Sequence, residues 1–493
     1  MTYLIGIDIG TSSTKTVLVD ETGRLLSWAG QEYPIEMPKA DWSEQQPAVW
    51  LKAALSTLRQ VMQRTEVDLR QVAGIGLAGQ MHSMVCLGAD GKALRPAILW
   101  ADRRSSAQVQ QLAEKIGLEQ LGNWTGNPLA VGFMLPSWMW LREHEPELCA
   151  ATRTLLLPKD EVRYRLIGRL GSDPSDASST SLFDPHTRRW SEPMLQMAGL
   201  SLEQLPPVDD SAQVAGGLLA EMAVTGGLLE GTPVVFGGSD QSMQALGQGL
   251  VEPGMISCTI GTGGQLFAPL SRPVHDSRLR LHLFCHALPG RWHLLAAILS
   301  AGLALRWLRD QLWPGSSYQE LANAAAEVEA ATQGLFFLPY LAGERTPHMD
   351  PQASGAFLGL RLNHGRAHLV RAVMEGVVFA LRQGLDLMVE MGTPVERLLA
   401  AGGATRHPLW LQLQADIFGR PVYPGQAQEA TACGAALLAG IGTGVYRNAE
   451  DAIRKAVRPP GEPVWPEPKR SERYQEAYQQ FCRFYPALLE ARQ

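Results

Sequence analysis

The sequence predicts an α/β fold of two domains that face each other across a central cleft. The chain has 493 residues, whereas single hydrophobic cores stop growing at about 250–300 residues, so two domains are expected. Apolar runs suited to strands alternate with stretches of helical periodicity in both halves. The tripeptide Ile-Gly-Thr ends an apolar run twice, at 9–11 and 260–262, which indicates that the two domains share a structural unit.

The first domain is expected to begin with strands and to continue with strands and helices in alternation. Apolar runs predict strands at 3–9, 15–20, 24–31, 72–77, 84–87 and 234–236. Apolar residues at three- and four-residue spacing predict helices at 47–64, 105–117, 135–143 and from 241 to 247–249. The segment 171–184 is rich in Ser and Asp and is predicted to be a loop. Glycines and a proline cluster at 247–254, so we place the domains at 1–247 and 248–493.

The second domain is predicted to repeat the order strand, turn, strand before its helices. Apolar runs predict strands at 255–259, 265–267 and 398–401. Helical periodicity predicts helices at 300–312, 317–331, 366–389, 410–417 and 472–491. The last of these contains Pro486, a residue able to interrupt it.

Composition and charge are those of an ordinary globular protein. Hydrophobic residues make up 45% of the chain and charged residues 19%. The net charge of −6 and the lack of a basic block argue against a nucleic-acid partner, and no run of about 18 apolar residues predicts a membrane span. Scattered cysteines and the absence of a signal-peptide pattern predict a cytoplasmic location. The oligomeric state stays open, and a homodimer is among the compatible assemblies.

Both Ile-Gly-Thr tripeptides lead into tight polar turns that suit a bound phosphate. Gly, Ser and Thr offer backbone N–H groups and small hydroxyls without bulk. Lys15, just after the first turn, could reach the transferred phosphate as a point charge. An ordinary hairpin with a solvated lysine is the alternative for the first turn taken alone. The candidate nucleotide-binding residues are Gly10, Thr11, Ser12, Ser13, Lys15, Gly261, Thr262 and Gly263.

Two aspartates follow strands at positions suited to phosphoryl transfer. Asp8 ends the first strand, where its carboxylate can hold Mg²⁺ directly or through water beside the phosphates. Asp240 follows Gly237, Gly238 and Ser239 at the start of a predicted helix, whose dipole favours an ionised carboxylate able to accept a hydroxyl proton. Both are candidate catalytic residues and metal ligands. The alternatives are a turn-forming Asp and an ordinary helix N-cap.

Polar residues after the strand at 72–77 are candidates for binding a sugar. Gln80 and His82 supply donors and acceptors for hydroxyl groups, and Met81 offers an apolar wall. Trp100 and Asp102 could line the same site, with the indole against the C–H face of a sugar. A structural histidine and a core tryptophan are the corresponding alternatives.

Further glycines suggest a place for the adenosine, and other nucleotide motifs are excluded. Gly402, Gly403 and Ala404 stand between a strand and a helix, where the backbone can approach a base closely, although a simple strand-to-helix turn fits equally well. The glycines at 74, 76 and 79 match a dinucleotide fingerprint, but an apolar strand follows them instead of a helix. The sequence contains no Walker-type phosphate loop and no metal-site spacing of His and Cys.

Several motifs in order resemble those of the FGGY carbohydrate kinases, a family of the actin-like ATPase superfamily. The resemblance runs from Ile5 to about Gly440. It rests on short segments that include the turn, sugar and aspartate motifs described above, at 8–12, 79–82, 237–240, 284–287, 338–347, 355–360, 368–375 and 402–403. The resemblance implies two ribonuclease-H-like domains closing on a cleft, with the sugar held mainly by the first.

The resemblance also implies an activity and roles for residues. We expect phosphorylation of a pentulose, with ATP and Mg²⁺ required and D-xylulose as the acceptor. By the same resemblance Asp240 accepts the hydroxyl proton, Asp8 assists magnesium and phosphate, and Met81 and His82 contact the ketose.

Three positions depart from the family pattern. Gln241 stands where Asn is usual, at a position that touches sugar hydroxyls, and Ser83 replaces the Gly after Met-His. Ser137 replaces the Lys of the N-terminal family signature. The first two positions leave the sugar open, so ribulose, L-xylulose or a polyol is an alternative acceptor. An actin-like ATP switch without sugar kinase activity is the alternative of another class.

Overall fold

Two mixed β-sheets organise the protein. The computed structural model describes residues 1–491, apart from the side chains of Thr332 and Ala404. The strands are β1 (Tyr3–Ile9), β2 (Ser13–Asp20), β3 (Leu25–Glu32), β4 (Glu44–Gln45), β5 (Val72–Gly79), β6 (Val85–Leu87), β7 (Ala97–Ile98), β8 (Thr154–Leu156), β9 (Phe183–Asp184), β10 (Arg189–Trp190), β11 (Val214–Gly217), β12 (Pro233–Val235), β13 (Gly238–Ser239), β14 (Gly254–Ile260), β15 (Gly264–Leu270), β16 (His282–Cys285), β17 (Trp292–Ile298), β18 (Phe336–Leu338), β19 (Ala356–Leu358), β20 (Val395–Gly402) and β21 (Val422–Pro424).

Helices cover the sheets and fill the space between them. They are α1 (Pro47–Gln63), α2 (Ser106–Ile116), α3 (Leu118–Thr125), α4 (Met134–His144), α5 (Pro146–Ala151), α6 (Pro158–Ile167), α7 (Pro174–Ala177), α8 (Glu192–Ala198), α9 (Ala220–Gly226), α10 (Asp240–Gly247), α11 (Gly302–Leu312), α12 (Tyr318–Ala326), α13 (Arg366–Glu390), α14 (Pro408–Phe418), α15 (Ala430–Gly442), α16 (Ala449–Ala456) and α17 (Pro468–Glu490). No helix within residues 1–491 is both long enough and apolar enough to cross a membrane.

The two sheets share the order of five strands, β3–β2–β1–β5–β12 in the first and β17–β15–β14–β20–β21 in the second. Each has a further edge strand, β11 beside β12 and β16 beside β17, and β13 of the first sheet also pairs with β5. In each, a central strand (β1 or β14) pairs antiparallel with the next strand and parallel, on its other side, with a later one (β5 or β20). This repeat is the arrangement expected of two ribonuclease-H-like units, and the predicted α/β class is confirmed.

The helix α15 ties the two halves of the chain together. Although it follows the second sheet in sequence, it packs on β1 and β5 of the first sheet and against α10. Glycines permit this approach, because a Cβ at Gly6 would clash with the carbonyl oxygen of Ala432 and one at Gly434 with that of Met243. The halves are therefore joined by backbone-to-backbone contact, and the predicted boundary at 247/248 stays a prediction.

Two sequence expectations differ from the structure. The predicted loop 171–184 contains α7 and is buried almost throughout, because its hydroxyl and carboxyl groups bond to one another and to the backbone. Pro486 lies inside α17 without ending it. An internal proline costs about 3 kcal/mol, but the aromatic stripe of Tyr474, Tyr478 and Phe481 buries that helix against the second core and holds it in place.

Candidate functional site

Three adjacent parallel strands end at the same edge of the first sheet. In the β1–β5 ladder Asp8 is opposite Ala78, and in the β5–β13 ladder Gly238 is opposite the same Ala78. Asp8, the segment 79–82 and Asp240 therefore emerge side by side. The candidate proton acceptor and the candidate sugar residues are brought together by this register.

The first glycine turn has its carbonyl groups occupied by the protein. The Gly10 carbonyl accepts a hydrogen bond from the Tyr33 hydroxyl at 2.6 Å, and the Ser12 carbonyl accepts one from the Tyr33 amide at 3.0 Å. The Thr11 carbonyl accepts a bond from the Gln45 side-chain amide at 2.8 Å. With its carbonyls held in this way, the turn can present N–H groups and hydroxyls to an anion.

The second glycine turn is built in a corresponding manner. The Gly261 amide donates to the Gly263 carbonyl at 2.9 Å, as the Gly10 amide of the first turn donates to residue 13 at 3.0 Å. The Gly261 carbonyl accepts a bond from Gly302 at 2.8 Å, and the Thr262 carbonyl accepts one from Leu303 at 3.0 Å. The start of α11 thus holds the turn, again leaving amide donors for an anion.

A cavity of about 480 Å³ lies beside the second turn. Its volume is within the range of about 300–1,000 Å³ typical of small-molecule sites. Gly402 pairs opposite Ile260 in the sheet, and a Cβ built on Gly403 would meet nothing closer than 3.9 Å. The cavity is lined by Ile260, Gly261, Thr262, Gly302, Leu303, Leu305, Arg306, Tyr318, Gln319, Ala322, Gly403, Arg406, His407 and Trp410. The side chain of Ala404, the third predicted adenosine residue, lies outside the described part of the chain.

Asp240 is a half-buried carboxylate with an unusual proton affinity. It begins α10, and one of its oxygens accepts the Gln241 amide at 2.7 Å. Burial, together with the negative charge of Asp8, raises the pKa of Asp240 to about 7, against hydrogen bonds from Gln241 that lower it. Near neutral pH the group can both accept and release a proton.

Asp8 has features of a cation ligand. Burial raises the pKa of Asp8 to about 6, while Lys15 opposes that rise. Its Oδ1 atom is buried and has no hydrogen-bond partner among the described residues, which is costly for a carboxylate unless a cation takes its place there. Within residues 1–491 no cluster of three or more His, Cys, Asp or Glu could hold a metal. Mg²⁺ usually takes one or two carboxylates plus phosphate and water, so Asp8 with Asp240 fits it.

Lys15 is paired with a carboxylate and is not free to bind a phosphate without leaving that partner. Its ammonium lies 2.7 Å from the Glu429 carboxylate, at the start of α15. Glu429 has a left-handed backbone (φ 47), a conformation that costs energy for a non-glycine residue. Both side chains are partly exposed, at 39% and 24%, so the pair is worth at most about 1 kcal/mol and leaves Lys15 able to exchange partners.

His82 lies in an aromatic pocket that both halves of the chain form. Its ring stacks on Phe133 with centroids 3.8 Å apart and lies 5.9 Å from Phe284 of β16. Nδ1 is 2.7 Å from the Ser179 carbonyl, which can only accept, so Nδ1 carries the proton and Nε2 is the acceptor. Burial lowers the pKa of His82 to about 3, so the ring is neutral at physiological pH. A neutral ring of fixed tautomer is suited to a hydroxyl group.

The other predicted sugar residues differ in their exposure and in their contacts. Met81 packs with apolar residues of the second sheet, and Gln80 is buried with its amide 3.5 Å from the Gly10 carbonyl. Trp100 is 38% exposed and donates from its indole to the Thr11 hydroxyl at 2.8 Å. Asp102 is instead buried, and Arg104 occupies both of its oxygens. This arrangement gives Asp102 a structural partner, and its contact with a sugar stays a prediction.

The buried segment 171–184 supports the backbone beneath Asp240. The Ser239 amide donates to the Ser175 hydroxyl at 2.9 Å, and that hydroxyl donates to Asp173 at 2.5 Å. Lys159 lies 3.1 Å from the other oxygen of Asp173. Sequence reasoning missed this support, because a run of Ser and Asp also describes a surface loop. It equally missed the cavity residues contributed by α11 and α12, where no local motif marks them.

Comparisons with known proteins match the whole length of the chain. Models of the FGGY family of carbohydrate kinases match residues 3–247 (N-terminal domain) and 256–443 (C-terminal domain). The chain is similar to the xylulose kinase of Bacillus subtilis (strain 168), 36% identical over 458 residues that cover 93% of this chain and 92% of that protein. It is also similar to the gluconokinase of the same strain, 30% identical over 454 residues, covering 90% and 88%. Among solved structures, ligand-bound xylulose kinase from Lactobacillus acidophilus has a TM-score of 0.95 at 26% identity, covering 99% of each chain.

Proposed function

The chain belongs to the FGGY family of carbohydrate kinases, and on that premise we propose that it transfers a phosphoryl group from ATP to D-xylulose. The product would be D-xylulose 5-phosphate. The observation that carries the proposal is the alignment of Asp8, the 79–82 segment and Asp240 at one edge of the first sheet. Such an edge lets a sugar hydroxyl, a proton acceptor and a phosphate meet.

ATP has a matching place on both sheets. The cavity beside the second turn would take the adenine and ribose, since its lining combines apolar side chains with a few polar groups. The two turns would bind the phosphate tail through backbone N–H groups. We assign Gly10 to Ser13 to one end of that tail and Gly261 to Gly263 to the other.

The chemical step needs a proton acceptor and a place for negative charge. Asp240 would accept the proton of the attacking hydroxyl as the phosphoryl group moves through a loose transition state. A pKa of about 7 suits this role, because general-base catalysis is most effective when the pKa is near the working pH. Asp8 and Asp240 would hold Mg²⁺, which when bound neutralises phosphate charge. His82 and Gln241 would orient the sugar through hydrogen bonds.

The choice of D-xylulose rests on relatives and on the uncharged ring of His82. Xylulose kinases are among the similar proteins, while a gluconokinase is also similar at lower identity. The His82 ring, held in place by stacking on Phe133, offers one acceptor, Nε2, which suits a hydroxyl group of a ketose. The division into a sugar-binding part (1–247) and a nucleotide-binding part (248–493), and a cytoplasmic location, belong to the same proposal.

A substrate panel tests the function. ADP release is measured with Mg²⁺, ATP and one of D-xylulose, L-xylulose, D-ribulose, glycerol or D-gluconate. We expect D-xylulose to give the highest kcat/KM and release without sugar to be far slower. If another sugar gives the highest kcat/KM, the proposed substrate is wrong and the proposed kinase activity stands. ADP release that no sugar increases would instead favour an ATP switch.

A further inference from the structure

Arg345 is anchored at the cleft end of the second sheet. The Glu344 carboxylate accepts the amides of Leu299 at 3.0 Å and of Arg345 at 2.7 Å. The next amide, that of Thr346, donates to the Ala297 carbonyl at 3.0 Å. These bonds join the segment to the end of β17, which pairs with the strand that leaves the second glycine turn. The backbone of Arg345 is thereby fixed.

The side chain of Arg345 extends to the aromatic pocket around His82, on the side of Phe133. Its guanidinium carbon lies 6.0 Å from the ring centroid of Phe133, on which His82 stacks. Its positive charge contributes, after burial, to lowering the pKa of His82 and His282. Within residues 1–491 the guanidinium makes no side-chain hydrogen bond or ion pair, in contrast to the bonded guanidinium of Arg163.

The Arg345 side chain is half-buried, and its guanidinium has no hydrogen-bond partner among the described residues. It carries five N–H donors, which are therefore open to a molecule that enters the pocket. The adjacent Glu344 forms no ion pair with Arg345: its Oε1 atom accepts two backbone amides, and its Oε2 atom is buried without a hydrogen-bond partner among the described residues. The protein therefore offers a planar set of donors to whatever occupies the pocket.

We propose that Arg345 is a sugar-binding residue, which donates two N–H groups to neighbouring oxygen atoms of the acceptor sugar. The proposal rests on the kinase function proposed above. The planar fork of arginine matches two oxygens side by side, as on adjacent carbons of a ketose. Since His82 and Asp240 come from the first sheet and Arg345 from the second, the sugar would bridge the two domains and favour their approach.

The test compares Arg345→Met, which keeps the apolar stem, and Arg345→Lys, which keeps the charge, with wild type. Arg483→Met, on the exposed face of α17, is the matched control. Steady-state kinetics with D-xylulose or the best sugar of the panel give kcat and both KM values, and thermal unfolding gives Tm. We expect Arg345→Met to raise the sugar KM at least about tenfold, with ATP KM within twofold and Tm not lowered. Arg345→Lys should lie between, because it keeps one donor group.

The outcomes separate this inference from the proposed function. Wild-type enzyme that phosphorylates no sugar would contradict the function itself. An active wild type whose Arg345 variants keep the sugar KM would overturn the inference. A fall in kcat at unchanged sugar KM would overturn it as well, because it would place the guanidinium on the transferred phosphate. If Arg345→Met fails to fold, the sugar KM of Arg345→Lys decides alone.

Discussion

Asp240 shows how one side chain can be poorly placed for stability and well placed for chemistry. A carboxylate at a helix N-terminus is normally stabilised by the helix dipole. Here burial and Asp8 outweigh that field and raise the pKa of Asp240 to about 7. The segment that supports it fixes Ser239, the preceding residue, through a hydrogen bond to Ser175. The site therefore holds a proton acceptor in position at a cost in stability.

Replacing Asp240 should separate activity from stability. Asp240→Asn removes the proton acceptor, and general-base catalysis contributes about 10²–10⁴-fold, so we expect kcat to fall by that factor. ATP affinity should change less than threefold, since in the proposed arrangement the turns bind the phosphates and Asp8 keeps a carboxylate for Mg²⁺. The checks are steady-state kinetics and calorimetric titration with a non-hydrolysable ATP analogue. A variant that keeps more than a tenth of the wild-type kcat would contradict the assignment.

The pH dependence should follow the same carboxyl group. The base form is required, so kcat/KM for the sugar, which reports the free enzyme, should rise with pH and level off above a pKa near 7. Stability should change in the opposite direction and fall as pH rises, because the pKa of Asp240 in the folded protein lies above the ordinary value of 3.8. Ionising Asp240 costs stability progressively as pH rises from about 4 to 7. Asp240→Asn should therefore gain Tm over wild type across that window. An equal Tm difference at pH 4 and pH 8 would contradict the shift.

At the scale of elements, the two glycine turns share one backbone hydrogen-bonding pattern, although different residues surround them. Each lies between antiparallel strands, with its first glycine amide bonded to the carbonyl of the turn's third or fourth residue. The first turn is held by Tyr33 and Gln45, and the second by the start of α11. Because β5 and β20 lie beside the two turns, each turn meets a second loop at the same sheet edge.

Replacing Gly403, beside the cavity, should leave the fold intact and weaken nucleotide binding. At Gly403 a Cβ meets no crowding from the protein, so Gly403→Val should fold and place its methyl groups in the cavity. We expect the KM for ATP to rise about tenfold or more, while sugar KM and Tm stay near wild type. Gly30→Val, at an exposed strand position with ordinary contacts, is the control. An unchanged ATP KM would place the adenosine elsewhere.

At the scale of the whole molecule, the two sheets are coupled by contacts on both sides of the sugar site. Met81 packs with Phe267 and Leu295 of the second sheet. Behind the site, α15 is fitted against β1 and α10 through glycines. Motion of one sheet relative to the other therefore changes the pocket around His82, the proposed sugar site. This coupling is what a kinase needs in order to keep water from the phosphate.

Joint binding of sugar and nucleotide should favour a closed state. Small-angle scattering should give a smaller radius of gyration with D-xylulose and a non-hydrolysable ATP analogue together than with either alone. Asp240→Asn should still compact, because it changes a proton acceptor and no domain contact. Equal radii in all states would contradict closure.

Individual elements show how far sequence reasoning reaches. The strands before both turns and the helix α13 were predicted because their apolar periodicity is local and strong. The helix α15 was not predicted, since a run of Ala, Gly and Leu has no polar face to reveal its period. The segment 171–184 was predicted as a loop, because a pattern of Ser and Asp does not reveal whether those groups bond to water or to each other. The ion pair of Asp102 with Arg104 was not predicted, because a residue two positions away can also point to the opposite side.

The sequence by itself determined the fold class, the family and the residues that can carry phosphoryl chemistry, because short motifs encode turns and strand ends locally. Only the tertiary structure decided which of those residues meet. Strand register places Asp8 and Asp240 on one edge, α15 joins the halves, and Arg345 reaches Phe133, more than 200 positions earlier in the chain. Distances of that kind depend on packing between remote segments, and no local pattern of residues records them.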